Sequence, residues 1–483
     1  KACISQVKLK VDPKIINYKN VGDTGEQITY AVSAGFNLLY DTIDQGDCEF
    51  KSLDEDIATV DSDGIVTAQG MGTTYIRVYN KKNDCYSAVR VQVNGEQGRT
   101  APKIVGGYNH FAGLKANGEV WTWGYNSNGQ LGTGNTTNRN EPTQLMYFVD
   151  DGNGNETKVP VTDVIDVACG YKYTMILRKD GTVWATGYNN KGQLGDGTTA
   201  NTTKFHKVKG ENGVGYLQNI VQIAAENNTS HALTADGSVY SWGYNYYGEL
   251  GNPTAAGSSN ANAKPYRMLR VPGIMQISAG NCKIIMVSAD GSVWGAGYNG
   301  YGELGLGHTS EIHLAQQMYD STGKKFITGI KEVDSGTYST TLLTDDGRMY
   351  ATGYNGYGQL GSGDTVQRLY IVPVIDEDTN QQITGVSHIL VSGYMTMAIK
   401  NDKSLYETGY ATYSQNFSKT NTTRTKMHKV FEGKNIIAMG ATKELTSQTG
   451  AVVDDKGRIW TVGYNAEGEI GNGTTETTGT PTC

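Results

Sequence analysis

Glu249 and Glu303 occupy the same place in two nearly identical stretches, "GYNYYGELG" and "GYNGYGELG". Two carboxylates at a fixed spacing are the usual equipment for general acid–base chemistry. At the matching position, however, other copies carry Gln130, Gln193 and Gln359, which can neither release nor accept a proton. Free exchange of Glu for Gln points to hydrogen bonding with the turn backbone, not to catalysis. In "DDGNGNE" (residues 150–156), Asp151, Asn153 and Asn155 echo the opening of a calcium loop. Glu156 and Thr162 stand where that loop requires Gly and a bidentate Glu, so the stretch reads as a hairpin tip. No Gly-x-Ser-x-Gly elbow singles out a nucleophile. The cysteines (Cys3, Cys48, Cys85, Cys169, Cys282 and Cys483) form no Cys-x-x-Cys, and no histidine pair sits at zinc-ligand spacing. The expectation is a chain with no catalytic residue, no metal and no cofactor: not an enzyme.

Tyrosine is the polar side chain in excess, at 31 residues. Tyr246, Tyr247, Tyr301, Tyr357 and Tyr413 fall in loops that follow a recurrent Gly-Tyr and share one expected rim. A phenol ring offers a large contact area at low entropic cost, which suits recognition of a protein or a glycan. Packing between neighbouring repeats is the competing use of the same rings.

The elements that position these loops repeat. Gly-Tyr begins at Gly124, Gly187, Gly243, Gly297, Gly353, Gly409 and Gly463, at spacings of 54 to 63 residues. Seven strand-rich copies at that period predict a closed propeller. Three residues before each Gly stands an aromatic residue: Trp121, Trp184, Tyr240, Trp294, Tyr350, Tyr406 and Trp460. An apolar residue precedes each. Neighbouring residues on a strand face opposite ways, so this strand is expected to be buried on both sides, with the aromatics forming a structural ring between blades. Asn-Gly or Asp-Gly turns, as at Asp236-Gly237, precede the strand, and four strands fit each copy. In the second copy the fourth strand is expected to start near Phe205, and the same count from Gly463 reaches Pro481, so the last copy lacks room for its fourth strand before Cys483. Either the natural chain continues, or an unpaired edge remains, or another molecule supplies the strand, which makes a homo-oligomer assembled through that edge one expectation.

A net charge of −7 with no basic cluster argues against coating nucleic acid. No apolar run is long enough to span a membrane as a helix.

"LTADGSVYSWGYNYYGELG" and "LRKDGTVWATGYNNKGQLGDGT" resemble the repeats of the regulator-of-chromosome-condensation family of seven-bladed propellers. The sixth copy departs, with "GYATYSQNF" lacking the Asn and the Gly-Gln-Leu-Gly box, and the family's Gly-x-x-His survives mainly at His110 and His231. "FKSLDEDIATVDSDGIVTAQGMGTTYIRVY" (residues 50–79) resembles bacterial immunoglobulin-like domains of group 2. Together these imply an all-β chain: a small immunoglobulin-like β-sandwich over 1–97, a linker over 98–103, and a seven-bladed β-propeller of four-stranded blades over 104–483. The second resemblance implies a secreted or cell-surface protein. In that setting a Cys48–Cys85 disulfide is expected, and Cys3 and Cys483 are candidates for links between chains. The leading functional expectation is a non-enzymatic structural or adhesive subunit of an extracellular fibre or surface layer. The alternatives are a propeller that binds or inhibits a partner protein through one face and, last, a guanine-nucleotide exchange factor.

Overall fold

The computed structural model describes residues 8–33, 40–41, 48–95, 99–150, 152–153, 156–252, 256–410, 417–418, 422–445 and 448–483. Cys3 and Tyr413 lie outside them. From Lys103 onward the described residues build seven successive four-stranded sheets, each an antiparallel meander of consecutive strands. In the third sheet the strands are Ile220–Glu226, Thr229–Thr234, Val239–Asn245 and Ser258–Arg267.

Each sheet is tied to the next by its innermost strand. Gln222 donates to Ile277 O and accepts from the Ile277 N–H, both at 3.0 Å, and Gln276 holds Val333 in the same two-point way. Asp166 and Glu332 accept the N–H groups of Ile223 and Ile389. A side-chain amide or carboxylate thus satisfies backbone groups that a lone sheet would leave open. The same kind of seam joins the seventh sheet to the first. Trp123 donates its indole N–H to Glu469 O at 2.8 Å, as Trp242 does to Gln193 O at 2.9 Å between the third and second sheets. Lys443, in the seventh copy, reaches across to Cys169 O, Ala225 O and the Glu226 carboxylate of the second and third.

Two expectations are corrected here. The last sheet has its fourth strand: Thr478–Thr482 pairs with Ile459–Gly463, with Gly463 opposite Thr478 as Gly187 is opposite Thr202. Pairing starts closer to the glycine than the count from Phe205 implied, so the seventh sheet has no missing edge strand. The aromatic ring packs between the sheets, Trp184, Tyr240, Trp294, Tyr350 and Trp460 against the apolar clusters that join neighbours and Tyr406 within one, but it is not buried throughout. Trp121, Trp184, Tyr240, Trp294, Tyr350 and Trp460 are half-buried, and only Tyr406 is buried. They sit at the start of the third strand, where several indoles bond back to the preceding turn (Trp184 to Thr182 and Trp294 to Ser292, each 3.0 Å) and cations close over them. Lys115 covers Trp121 and Lys434 covers Trp460. The core belongs to their neighbours Val120, Val183, Val239, Val293, Met349 and Leu405.

The described residues between 8 and 95 form a separate all-β unit. Its central sheet orders Ile15–Tyr18, Cys85–Val93, Gly72–Asn80 and Cys48–Ser52 around an apolar cluster that includes Val11, Ile76, Val78, Val89 and Val91. The expected Cys48–Cys85 disulfide is absent. Both residues lie opposite Asn80 from either side of the strand between them, which sets them about 10 Å apart, beyond disulfide reach. Cys483 is an exposed free thiol.

The unit is docked on the repeat region. Leu53, Tyr75 and Ala88 share one apolar cluster with Met275, Val287 and Ile330. Arg77 donates to Ala289 O (2.7 Å), to Ile330 O (3.2 Å) and to the Asp345 carboxylate (2.5 Å). Arg90 donates to Val221 O. Thr100, in the connecting segment, is buried and donates its N–H to Ala116 O.

Candidate recognition face

The loop after each Gly-Tyr is built around the following asparagine. Asn126, Asn189, Asn245, Asn299, Asn355 and Asn465 are fully buried. Asn355 accepts the Leu360 N–H through Oδ1 at 3.0 Å, while its Nδ2 donates to Asp364 O at 2.9 Å and Ser362 Oγ at 3.1 Å. The other five receive the matching N–H from Leu131, Leu194, Leu250, Leu304 and Ile470. Two residues before the leucine or isoleucine the chain turns again, and the Gln or Glu that precedes it folds back onto an N–H: Gln359 takes that of Tyr357, Glu303 that of Tyr301, Glu249 that of Tyr247. Asn355→Ala leaves several buried backbone groups unpaired, and unfolding is expected to become easier by about 2 kcal/mol, read as a lowered denaturant midpoint. In the sixth copy Ala411 replaces the asparagine and lies outside the described residues. There Glu407, from the third strand, accepts the Phe417 N–H at 2.9 Å.

These loops share one end of the molecule with the turns between first and second strands. The tyrosine N–H after each glycine donates to such a turn: Tyr244 to Asn228 O, Tyr298 to Cys282 O, Tyr354 to Tyr338 O and Tyr410 to Tyr394 O. The two sets of tyrosines meet there as a continuous belt across four sheets. It runs from Tyr244 through Tyr246 and Tyr247 to Tyr298 and Tyr301, then through Tyr338, Tyr354 and Tyr357 to Tyr394 and Tyr410. Successive ring centroids lie 4.7 to 6.4 Å apart, many of them edge to face. Tyr246 is exposed and the others are half-buried. Edge-to-face contact satisfies the ring quadrupoles and leaves ring surface open. Burial, ahead of the neighbouring charges, pushes the Tyr298 and Tyr394 phenols up to about 12, so they remain neutral donors at physiological pH.

Of the five loop tyrosines marked in the sequence, the structure joins Tyr246, Tyr247, Tyr301 and Tyr357 in this belt. It adds the tyrosines directly after the glycines, which strand parity places beside the aromatic ring, and those of the first turns, Tyr338 and Tyr394, which no repeat signal marks. On the second sheet the same end carries Lys172, whose Nζ lies 6.0, 5.4 and 4.9 Å from the ring centres of Tyr108, Tyr125 and Tyr171. The opposite end carries the Asp-Gly turns and is covered on several sheets by residues 8–95 through the contacts of Arg77, Arg90 and Lys51.

His110 and His231 are no acid–base pair. Both are fully buried, His110 Nε2 meets Thr174 Oγ1 and His231 Nδ1 meets Ser241 Oγ, and burial holds both rings neutral with values near 3. Among the described residues no helix is long and apolar enough to cross a membrane.

A profile described as an RCC1-like domain matches residues 149–483, more than half of the chain, and RCC1 repeats match residues 103–130 and 117–177. The chain belongs to the RCC1-like domain family. It is 29% identical over 316 residues to the ultraviolet-B receptor UVR8 of Arabidopsis thaliana, covering 65% of this chain and 66% of that protein. It is 28% identical over 291 residues to the human E3 ubiquitin-protein ligase HERC2, covering 59% of this chain and 6% of that one. The chain therefore spans less than two thirds of these relatives. Among solved structures, human WBSCR16 superposes with a TM-score of 0.60 at 18% identity, over 75% of this chain and 94% of that one. Prp20p of Saccharomyces cerevisiae, whose structure is described together with its binding to Gsp1p and histones, superposes at 0.59 and 18% identity, over 80% and 86%.

These findings correct the leading functional expectation. RCC1-like relatives are named as a photoreceptor and a ubiquitin ligase, and the solved neighbour is described by its protein partners; a secreted structural or adhesive fibre subunit is not what this family membership supports.

Proposed function

We propose that this chain is a non-enzymatic seven-bladed RCC1-like propeller that binds a partner protein through its tyrosine face. The observation that carries the reading is the belt itself: ten contiguous tyrosines on the end opposite the one where Arg77 and Arg90 make their contacts. Tyrosines concentrated on a rigid frame bury area with little loss of side-chain freedom, which is how recognition surfaces are commonly built. Protein binding described for the solved neighbour Prp20p supports the same reading. In this reading residues 1–97 are an immunoglobulin-like unit of the bacterial group 2 kind that closes the other end. That resemblance favours an extracellular or cell-surface setting.

The test is positional. A photo-crosslinking benzoylphenylalanine replaces Tyr357 on the tyrosine face or Glu26 on the N-terminal unit, in the full chain expressed in its source cells. A discrete adduct is expected from position 357 and none from position 26. Adducts from position 26 alone, or from neither, overturn the assignment of the face.

A further inference from the structure

We propose that the tyrosine belt seats the arginine or lysine side chains of a basic segment in the partner protein, their cationic heads resting on the rings of Tyr301, Tyr338, Tyr357 and Tyr394. The inference rests on the partner-binding reading and names the chemistry of the partner.

The chain itself shows what this end of the molecule does with cations. Lys172 lies over three tyrosine rings, the nearest centre at 4.9 Å, and Lys191 lies over Tyr244 at 5.4 Å, at one end of the belt. Both distances fall within the range in which the negative face of a phenol ring attracts an ammonium or guanidinium. Further along, the rings keep the same chemistry. Among the described residues no lysine or arginine of the chain lies over Tyr301, Tyr338, Tyr357 or Tyr394.

The surrounding charge favours the same occupant. Beneath the loops, burial keeps the Glu249 carboxyl neutral and Glu303 faces the buried Lys283 ammonium, so this layer adds no net charge. Glu311 stands near Tyr247. The whole chain carries −7. An approaching cation meets electron-rich ring faces on a chain of net negative charge, whereas an anionic segment would meet no described lysine or arginine over these four rings. Arginine suits the site better than lysine, because a planar, weakly hydrated guanidinium stacks on a ring at lower desolvation cost.

The experiment uses the full chain and fluorescent peptides of one length. One carries arginines spaced by glycine and serine; in the second every arginine is citrulline, the neutral isostere; a third is proline-rich. Fluorescence anisotropy near physiological ionic strength is expected to show saturable binding of the arginine peptide and at least tenfold weaker binding of the citrulline peptide. The double variant Tyr301→Leu, Tyr357→Leu is expected to weaken the arginine peptide by about tenfold, while Tyr301→Phe with Tyr357→Phe, which keeps the ring quadrupole, stays within about threefold of the unaltered chain. Equal binding of arginine and citrulline peptides, selective binding of the proline-rich peptide, or an unchanged leucine variant each overturns the proposal. If the leucine variant loses its folding transition, the arginine–citrulline comparison on the unaltered chain decides. A crosslink from position 357 without arginine-peptide binding removes this inference and leaves the recognition face standing.

Discussion

Glu249→Gln is expected to make the protein more stable at pH 8 and to leave it nearly unchanged at pH 4. Glu249 is fully buried, accepts the Tyr247 N–H through one oxygen at 2.8 Å, and has no partner for the other. Burial pushes its carboxyl up to about 8, outweighing the backbone hydrogen bonds that favour the ionised form. In the unfolded chain the same group titrates at about 4.3. Between those values the unfolded state sheds its proton and the folded state keeps it, so the unfolded state binds fewer protons and stability falls as pH rises. Below the unfolded value both states are neutral and the penalty vanishes; above about 8 it is complete. Gln130, Gln193 and Gln359 show that the position accepts an amide. A gain of about 2 kcal/mol or more at pH 8 is expected, since each tenfold difference in proton affinity between the folded and unfolded chain corresponds to about 1.4 kcal/mol. Thermal unfolding at the two pH values reads it directly, and an equal change at both would contradict the assignment. Glu303 is also raised by burial, but the buried Lys283 ammonium opposes the rise, so Glu303→Gln should change the pH slope less.

Arg77→Met is expected to release residues 8–95 from the propeller without unfolding either part. The Arg77 side chain is 7% exposed, and its three donors go to two carbonyls of the repeat region and to Asp345, itself 13% exposed. Removing the guanidinium leaves the Asp345 carboxylate with only the exposed Lys51 ammonium and takes the Arg77 donors from two carbonyls in a dry junction, which costs about 3 kcal/mol of docking energy. The apolar cluster inside residues 8–95 does not include Arg77, so that unit keeps its own core. A single thermal transition should split in two, and proteolysis between the parts should accelerate. Lys51→Met is the control. Lys51 also meets Asp345 but is 58% exposed, and an exposed pair is worth at most about 1 kcal/mol. Equal effects from the two variants would mean that the apolar contacts of Leu53 and Tyr75, not Arg77, hold the junction.

The repeat was readable because its physical demands are local. Gly243 adopts φ +103, and a Cβ there would lie 2.2 Å from Asn228 O, so the glycine and the turn it meets must recur together. The apolar residue before each aromatic, the Asp-Gly turns and the Gln/Glu position follow from the same short-range rules. The tyrosine belt was only half readable. Strand parity carries the tyrosine after the glycine onto the side of the aromatic marker, but the ladder shifts register at that glycine, between Ser241 and Gly243 in the third sheet, and alternation does not survive the shift. Tyr338 and Tyr394 come from turns more than a dozen residues upstream of their own glycines and reach the belt through strand pairing that closes on the Tyr354 and Tyr410 N–H groups. The expected Cys48–Cys85 bond failed for a similar reason: two cysteines in one small unit say nothing about the strand that lies between them.

The buried asparagine has a consequence for how such a chain can diversify. Because Asn355 and Gln359 together hold the loop from within, the two residues between Asn and Gly contribute little to its shape: Ser127-Asn128, Asn190-Lys191, Tyr246-Tyr247, Gly300-Tyr301, Gly356-Tyr357 and Ala466-Glu467 occupy the same frame. Folding constrains these pairs weakly, so selection can rewrite them copy by copy. The molecule is in effect a fixed grid of interchangeable pairs, and a combinatorial library confined to those positions should yield new specificities on an unaltered scaffold.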